Sequence, residues 1–255
     1  MKKKSDLDIE RERYSKRAKI NKQNLKNFRV KKRKNNLIDA PYIEIYFKSL
    51  IRNSKKGFKI LEICCGEGEC SGPILQNYQD ITFADISKNS LDVIKKNYSS
   101  FLTKSISFKE CNMEILPFDD EIFDIVACAG GLSYGNNIFV LNEIHRVLKQ
   151  NGVFICIDSL NENPIYKLNR YLHYLRGNRT KSTLKRMPDR KLLEDYKNKF
   201  GVTKINYSGT LIWILYPLSK IIGYKKSKIL SDFFDKNLPK WMSFKFIMEA
   251  KKISE

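Results

Sequence analysis

Apolar and polar positions along the chain change their period repeatedly, and these changes predict strands that alternate with helices. Short apolar runs predict strands at 59–64, 81–85, 105–110, 123–128 and 153–158. Helical spacing predicts helices between most of them, at 71–78, 88–98 and 137–149. One face of the last helix holds Ile138, Leu141, Ile144, Val147 and Leu148. This alternation indicates parallel strands with right-handed crossovers and a ligand site at their carboxyl ends.

The chain beyond the fifth predicted strand has a different pattern. One helix is predicted to begin after Asn163, as its N-cap, and to end just before Gly177. Its apolar stripe, which we expect to be buried, consists of Ile165, Leu168, Leu172 and Leu175. Two more strands are predicted at 202–207 and 244–250.

The most informative segment is ILEICCGEG at 60–68, which joins a predicted strand to a helix and is followed by Asp85 at the tip of the next strand. Glycines let the backbone approach a ligand closely, and an acid at that tip accepts both hydroxyls of a ribose. A dinucleotide site needs a third glycine where this chain has Ser71. The turn is also acidic, with carboxylates at Glu62, Glu67 and Glu69. Acids disfavour a pyrophosphate at this place and favour a nucleoside that carries a sulfonium or an ammonium group.

Four segments in order resemble the class I S-adenosylmethionine-dependent methyltransferases, whose first motif reads LDLGCGTG. ILEICCGEG is similar to that motif, with Cys64 in place of its first glycine. ITFADIS, CNMEILPFDDEIFDIV and LNEIHRVLKQNGVFICID stand where the family has its later motifs, so the resemblance spans residues 58–160. It implies a doubly wound, Rossmann-like α/β sheet of seven strands, mostly parallel with a C-terminal antiparallel hairpin, and S-adenosylmethionine as the cofactor.

The same resemblance implies a set of cofactor-binding residues. The set consists of Glu62, Cys64, Gly66, Gly68, Asp85, Ile86, Asn112, Met113 and Ala129. In this alignment Glu62 holds the amino group, Asp85 takes the ribose hydroxyls, and Ile86 covers one face of the adenine. Asn112 and Met113 stand at the adenine edge, and the last residue of the set lies near the methionine portion.

Length and composition fit a single enzyme domain with additions. The 255 residues can bury one substantial core, so we predict a basic N-terminal arm or helix at 1–35 and one methyltransferase domain at 36–255. The six cysteines and two histidines lack zinc-ligand spacing, which predicts no metal site. No secretory signal and no membrane-spanning apolar run is seen, which predicts a cytoplasmic protein.

The net charge of +20 is concentrated at the N-terminus, where residues 1–35 hold fifteen Lys and Arg against four Asp and Glu. Such an arm suits a contact with RNA or with an anionic membrane surface. The abundance of Lys, Asn and Ile throughout the chain favours a merely solvated arm instead. In members of the family that the chain resembles, an N-terminal helix often folds over the cofactor, which implies a contact from Tyr14.

The acceptor is expected to contact the segments that follow the fourth and fifth strands. Candidate bases, in falling order, are His173, Asp158 and Tyr134. Residues 161–190 contain eight Lys and Arg against two acids and are predicted to cap the substrate side. Candidate substrate contacts in this cap are Arg170, Arg176 and Arg179. A basic cap suits a phosphorylated acceptor such as a nucleotide sugar, a lipid-linked glycan or a nucleotide.

The insertion at 209–240 is apolar and then basic. We interpret it as a second cap segment, a lid beside the substrate, with an amphipathic surface that touches a membrane as the alternative. The leading hypothesis is a methyltransferase for a small-molecule or glycan-like acceptor. The second hypothesis is an RNA or protein methyltransferase recruited by the arm. The third is a non-catalytic S-adenosylmethionine-binding module, because Cys64 and Asn112 depart from the family's motifs.

Overall fold

The structure, a computed structural model, describes residues 5–23, 40–98 and 105–253. Strands and helices alternate through most of these ranges, as the sequence predicts. In chain order they are α1 (Asp6–Gln23), α2 (Ala40–Asn53), β1 (Lys59–Ile63), α3 (Gly72–Asn77), β2 (Asp80–Asp85), α4 (Lys88–Asn97), β3 (Ser105–Glu110), β4 (Phe123–Ala129), α5 (Asn137–Val147), β5 (Leu148–Ser159), α6 (Pro164–Leu175), α7 (Lys181–Lys185), α8 (Arg190–Phe200), β6 (Gly201–Ser208), α9 (Ile212–Ile222), α10 (Tyr224–Asn237) and β7 (Lys245–Lys252). Short 3₁₀ turns occur at Leu132–Tyr134 and Lys240–Met242.

Among the described residues, seven strands form one sheet in the order β3-β2-β1-β4-β5-β7-β6. Strands β1 to β5 run parallel to their neighbours, whereas β7 runs antiparallel to both β5 and β6. The predicted doubly wound α/β sheet with its terminal antiparallel hairpin is therefore confirmed. The strand order reverses between β1 and β4, and a ligand crevice forms at such a point, beyond the carboxyl ends of the strands.

Helices cover both faces of the sheet. On one face, Leu61 and Ile63 of β1 belong to a core that includes Phe200 of α8. On the other face, Ile60 belongs to a core that includes Tyr46 of α2. Successive residues of a strand point to opposite faces, so a central strand that is covered on both sides is apolar at nearly every position. This explains the unbroken apolar run that precedes the glycine turn.

Side-chain caps begin two helices where the sequence predicts them. The Ser87 hydroxyl accepts a hydrogen bond from the backbone N–H of Ser90 at 3.3 Å and begins α4. Asn163 Oδ1 accepts from the N–H of Ile165 at 2.9 Å and begins α6. Just beyond the other end of α6, Gly177 has a φ of 72°, a left-handed conformation that commonly ends a helix. These caps satisfy N–H groups that lack a partner within the helix.

The boundary between α5 and β5 differs from the prediction. Leu148 pairs with Phe123 of β4, so it starts β5 rather than belonging to the preceding helix. The strand continues through Asn151, whose φ of 65° is left-handed, and reaches Ser159. Ile138, which belongs to the predicted apolar face of α5, is 64% exposed. Sheet pairing, which joins residues distant in sequence, set the boundary at Leu148.

The buried face of α6 also differs from the prediction. Tyr166 and Arg170 are its buried residues, and the Tyr166 hydroxyl donates to the carbonyl of Gly209 at 2.9 Å. The stripe predicted to be buried is exposed, at 44% for Ile165, 60% for Leu168, 39% for Leu172 and 61% for Leu175. That prediction was wrong because periodicity locates an apolar face without showing which face the rest of the chain covers.

The two added segments are helical. Helix α1 forms residues 6–23 of the predicted arm at 1–35, and residues 1–4 and 24–35 lie outside the described residues. The predicted cap at 209–240 forms α9 and α10, and α9 buries Ile212 and Leu215 in a small cluster with Tyr166. Within the described ranges, no helix is both long and apolar enough to cross a membrane.

Candidate functional site

A cavity of about 180 Å³ lies at the carboxyl ends of β1, β2 and β4. Its walls include eight of the nine residues that the resemblance assigns to cofactor binding, namely Glu62, Cys64, Gly66, Asp85, Ile86, Asn112, Met113 and Ala129. Gly68 is outside the wall, and a Cβ at that position would stand 2.9 Å from the ring of Tyr98. The parallel sheet thus brings the predicted residues together from segments that are far apart in sequence.

The turn after β1 uses left-handed backbone at three positions. The φ angles are 51° at Cys64, 55° at Gly66 and 81° at Gly68. A residue with a Cβ costs about 1–2 kcal/mol in this conformation, so glycine is the favoured residue at all three. The family motif that the chain resembles has glycine where this chain has Cys64. The Cys64 side chain contacts the sulfur of Met113, with the two sulfur atoms 3.3 Å apart.

Asp85 connects the turn to the second strand. Its Oδ2 accepts from the backbone N–H of Gly66 at 2.9 Å, and its Oδ1 accepts from the N–H of Ser87 at 2.9 Å. Burial raises the pKa of Asp85, while the N–H groups of Ser87, Gly66 and Ile86 act against that rise. Each carboxylate oxygen keeps a second lone pair, so the group can still accept hydrogen bonds from a diol in the cavity.

Glu62 is the second carboxylate of the cavity and is 1% exposed. Its Oε2 accepts from the Ser71 hydroxyl at 2.5 Å. Burial raises the pKa of Glu62 from its usual value near 4.5 to about 8; the Ser71 hydrogen bond opposes the rise and the charge of Asp85 adds to it. A buried carboxylate in this state is neutral at pH 7 and ionises when a cation binds beside it. This donor set fits a cationic nucleoside such as S-adenosylmethionine.

Another part of the cavity wall is formed by the residues after β3. Asn112 Oδ1 accepts from the backbone N–H of Glu114 at 3.0 Å, which fixes the orientation of the amide side chain. Met113 and Leu116 are buried and line the same wall. Together with Ile86, these side chains provide apolar surfaces suited to the faces of a planar ring.

Helix α1 closes the cavity from above the strand ends. The Tyr14 hydroxyl donates to the Tyr134 hydroxyl at 2.5 Å, so the predicted Tyr14 side chain does lie in the cavity wall. The hydroxyls of Ser15 and Ser87 are 3.1 Å apart. Arg17 pairs with Glu69 at 3.0 Å. These contacts fasten the helix to the loops that follow β1, β2 and β4.

A second cavity, of about 320 Å³, lies beside the first and shares Tyr14, Arg17 and Tyr134 with it. The rest of its wall comes from α1 and from the end of α6 and the loop beyond, through Arg13, His173, Asn178 and Arg179. Arg13 donates to the carbonyl of Asn178 at 2.6 Å and so ties α1 to that loop. We call this second cavity, with its three arginines, the basic mouth.

Two of the three candidate bases, Tyr134 and His173, line the basic mouth. Tyr134 stands between the two cavities, and burial together with its neighbour Tyr14 raises the pKa of its hydroxyl. It therefore keeps its proton at neutral pH and acts as a hydrogen-bond donor or acceptor. His173 is half-buried in the wall of the basic mouth.

Asp158, the remaining candidate base, lines neither cavity. It is 3% exposed, and its Oδ2 accepts from the N–H of Leu132 at 3.0 Å. Its Oδ1 accepts from the N–H of Ser159 at 2.6 Å. Burial raises the pKa of Asp158, and the nearby Lys245 opposes this. These contacts hold the loop after β4 against the end of β5.

Of the three candidate arginines of the cap, only one lines a cavity. Arg179 lines the basic mouth. Arg176 is exposed at the end of α6 and lines neither cavity. Arg170 is 4% exposed and donates to Asn161 Oδ1 at 3.0 Å. Burial, with the charge of Arg179, lowers the pKa of Arg170 to about 10.

Several wall residues were absent from the sequence prediction. Helix α1 contributes Leu7, Glu10 and Arg17, and the loop after β4 contributes Gly130 and Gly131. The α1 sequence DLDIERERYSKRAKINKQ has few apolar residues and no clear stripe, so nothing in it marks one face as a wall. The glycine pair in AGGLSYGNN was a visible signal, since a glycine-rich loop after a strand of this type commonly approaches a ligand.

Gly131→Ala is expected to destabilise the fold by about 1–3 kcal/mol, the usual range for overpacking. The added Cβ would stand 2.6 Å from the Cβ of Cys64, and 2.9 Å from the sulfur atoms of both Cys64 and Cys128. Thermal denaturation followed by circular dichroism measures the effect. Adding Cys64→Gly removes two of these three contacts and should restore part of the loss. Gly72→Ala is the control, since its Cβ would meet nothing within 4 Å; equal stability of the two alanine variants would contradict the close packing.

Comparison with known proteins supports the same class of enzyme. The model of a methyltransferase domain family matches residues 60–152. The demethylmenaquinone methyltransferase of Lactococcus lactis is 30% identical over 171 residues, which are 59% of this chain and 68% of that protein. The Staphylococcus epidermidis enzyme of the same name is 30% identical over 142 residues, which are 53% of this chain and 58% of that protein.

Solved structures share the fold at lower identity. YcgJ of Bacillus subtilis has a TM-score of 0.56 at 17% identity and covers 83% of this chain and 100% of that one. Geranyl diphosphate C-methyltransferase of Streptomyces coelicolor, solved with Mg²⁺, geranyl diphosphate and S-adenosylhomocysteine, has a TM-score of 0.56 at 14% identity and covers 84% of this chain and 78% of that one. With the sheet, the matched domain and a relative aligned over two thirds of its length, the chain belongs to the class I S-adenosylmethionine-dependent methyltransferases, and S-adenosylmethionine is its cofactor.

Proposed function

We propose that this enzyme methylates a small-molecule acceptor that carries an anionic oxygen, either a phosphate or an ionised hydroxyl. The basic mouth is the observation that carries the proposal, because three guanidinium groups surround a cavity adjoining the cofactor cavity. Guanidinium groups bind phosphates and other oxyanions through charge-assisted hydrogen bonds. The names of the relatives support a small acceptor, since these act on demethylmenaquinone or bind geranyl diphosphate.

Within the basic mouth, Arg179 is the guanidinium best suited to an anion. Arg17 pairs with Glu69, and Arg13 forms a short ion pair with Glu10. Across the described residues, no carboxylate forms an ion pair with Arg179, whose Nη1 has only a weak contact with the Met187 sulfur at 3.6 Å. An acceptor anion would therefore supply the counter-charge that this side chain lacks.

We propose that the cofactor lies across the first cavity in the orientation that the resemblance implies. Glu62 would hold the amino group and Asp85 the ribose hydroxyls. The adenine would lie at the end lined by Ile86, Asn112 and Met113. The sulfonium methyl would then point toward Tyr134, which belongs to both cavities. The cofactor supplies the methyl group as a sulfonium, so the residues of the chain need only bind and orient the two reactants.

Methyl transfer requires in-line attack on a methyl group held close to the nucleophile, so positioning contributes most of the rate. Tyr14 and Tyr134, whose hydroxyls are 2.5 Å apart, form the boundary between cofactor and acceptor. An ionised oxygen that is itself the methylated atom has no proton to lose and needs no base, whereas methylation of a carbon requires that its proton leave to a nearby base. For a neutral hydroxyl acceptor, His173 in the wall of the basic mouth remains the predicted proton acceptor.

Arg179→Gln is expected to raise the KM for an anionic acceptor about tenfold, because one charge-assisted hydrogen bond is lost. The kcat and the Kd for S-adenosylmethionine should stay unchanged. Transfer of a radiolabelled methyl group measures both kinetic constants, and calorimetry measures the Kd. Arg190→Gln is the matched control, because Arg190 is 66% exposed in its side chain and lines neither cavity.

The acceptor panel contains reduced demethylmenaquinone, an isoprenoid diphosphate and an uncharged isoprenoid alcohol. Transfer to either of the first two, with the effect of Arg179→Gln confined to them, supports the proposal and distinguishes an ionised hydroxyl from a phosphate. Preferential methylation of the uncharged alcohol, or an equal effect of the substitution on all three, would refute the anionic acceptor.

The arm offers less support for an RNA or protein acceptor. Helix α1 forms part of the cofactor cavity wall, Arg17 pairs with Glu69 of the domain, and Arg13 pairs with Glu10 of the same helix. Its charge is thus partly used in closing the site. Deleting the arm would remove part of this wall, so a loss of activity on deletion would not distinguish recruitment of RNA from loss of the cofactor site.

A further inference from the structure

The outward face of α6 is apolar and nothing in the described chain covers it. Tyr166 and Arg170 face inward, and the opposite side of the helix carries Leu168, Tyr171 and Leu175, which are 60%, 49% and 61% exposed. Burying such side chains stabilises a protein by about 1.5–3 kcal/mol each, so solvent exposure of a whole stripe is unfavourable. Contiguous exposed apolar surface of this kind marks a contact with a partner or a membrane.

Helix α9 repeats this arrangement. Its inward residues, Ile212 and Leu215, are buried, while Trp213 and Ile221 are 45% and 83% exposed on the other side. The hydrophobic cluster that holds α9 also contains Tyr166 of α6, and Phe244 packs against it. The two helices are therefore anchored at one place, next to the start of β7. Exposed tryptophan is typical of segments that lie at a membrane interface.

The charged residues within the two segments that carry these helices are all basic. No acidic residue occurs between 163 and 188 or between 209 and 231. Exposed lysines flank the apolar faces instead, at Lys167 on α6, Lys220 on α9 and Lys225 and Lys226 at the start of α10. Apolar side chains that are bordered by lysines complement a bilayer that has anionic headgroups, and each such lysine contributes attraction.

We infer that the outward faces of α6 and α9 form a docking surface for an anionic lipid bilayer. Helix α6 also carries His173, and the loop beyond it carries Asn178 and Arg179, all in the wall of the basic mouth. Docking through α6 places that mouth at the lipid surface, where a lipid-soluble acceptor is concentrated. Only this last step rests on the proposed function; the docking surface itself does not.

The test measures binding of the full-length protein to vesicles by co-sedimentation, without any acceptor. Binding to vesicles of phosphatidylcholine with phosphatidylglycerol should be strong at low salt, weaken as salt is added, and be weak for phosphatidylcholine alone. Leu168→Ser with Leu175→Ser, and Trp213→Ser with Ile221→Ser, should each weaken binding about tenfold or more. Lys225→Gln with Lys226→Gln should weaken it about fivefold for each lysine removed.

Val202→Ser is the matched control. Val202 is 58% exposed at the beginning of β6, away from the end of that strand that leads into α9. This variant should bind vesicles like the wild type, and the Kd for S-adenosylmethionine confirms folding of every variant. Unchanged binding in the α6 and α9 variants, or no preference for anionic vesicles, would overturn the inference. So would variants that dissociate a dimer in sedimentation without altering vesicle binding, since the surface would then contact a second copy. Arg179→Gln should leave vesicle binding intact, which separates this test from that of the proposed function.

Discussion

Asp85→Asn is expected to weaken the binding of S-adenosylmethionine about a hundredfold, because hydrogen bonds to a charged group contribute about 1.5–3 kcal/mol each. In the present fold Asp85 accepts from the N–H groups of Gly66 and Ser87 at 2.9 Å each. An asparagine has one carbonyl oxygen, so its NH₂ group must face one of these donors. The substitution thus disturbs the glycine turn and removes the acceptor that we propose for the ribose.

Isothermal titration calorimetry measures the Kd, and circular dichroism shows whether the variant is folded. Asp80→Asn is the control, since it makes the same change at the other end of β2, where Asp80 lies 3.7 Å from the Lys59 ammonium on the surface. That variant should bind the cofactor like the wild type. A folded Asp85→Asn protein with unchanged affinity would show that the ribose is held elsewhere.

Glu62→Gln is expected to remove the pH dependence of cofactor binding as well as part of the affinity. The pKa of Glu62 is raised to about 8 in the cavity, so the wild type must lose a proton when a cationic amino group binds beside it. The contribution of Glu62 to the cofactor affinity of the wild type should therefore rise by up to about tenfold per pH unit between about pH 6 and pH 8. At about pH 8 the variant should bind at least about tenfold more weakly than the wild type.

Calorimetry near pH 7 in buffers of different ionisation enthalpy counts the protons directly. The wild type should release part of a proton when the cofactor binds, and Glu62→Gln should release correspondingly less. The difference between the two proteins is due to Glu62, because any proton exchanged by the cofactor's own amino group is common to both. Glu194→Gln, an exposed change on α8, serves as the control. Equal proton release in all three proteins would exclude Glu62 as the partner of the amino group.

The same pKa shift predicts how the folding stability of the protein depends on pH. The folded protein without cofactor holds the Glu62 proton up to about pH 8, whereas the unfolded chain releases it near pH 4.5. Stability contributed by this group is therefore fully present below about pH 4.5 and falls as the pH rises toward 8. Glu62→Gln should flatten this part of the melting-temperature profile, which differential scanning fluorimetry measures.

Local chemistry made the cofactor side of the molecule readable from the sequence. Strands buried on both faces have unbroken apolar runs, so β1, β2 and β4 were located nearly to the residue. Few residues other than glycine adopt the left-handed backbone found at Gly66 and Gly68. The Asp85 carboxylate lies at the end of β2, a position that the strand pattern predicts. Parallel pairing then brings these positions together whatever the rest of the chain does.

The acceptor side depended on contacts between segments far apart in sequence. The periodicity of apolar residues in α6 revealed the stripe but not whether it is buried. The hydrogen bond of Tyr166 to Gly209 and the burial of Arg170 turn the other face of the helix inward, which leaves the stripe exposed. Asp158 looked like a base at a strand end, and its two hydrogen bonds to backbone N–H groups became evident only with the loop in place.

The sequence by itself determined the fold class, the glycine turn and the carboxylates that suit S-adenosylmethionine, because periodicity and turn chemistry act over a few neighbouring residues. Only the tertiary structure decided which further residues of α1 line the cofactor cavity, that Arg179 and His173 share a basic mouth, and that the apolar faces of α6 and α9 point outward. The physical reason is that an amphipathic or charged segment can pack in several ways with similar local energy. Long-range packing and hydrogen bonding select one of them.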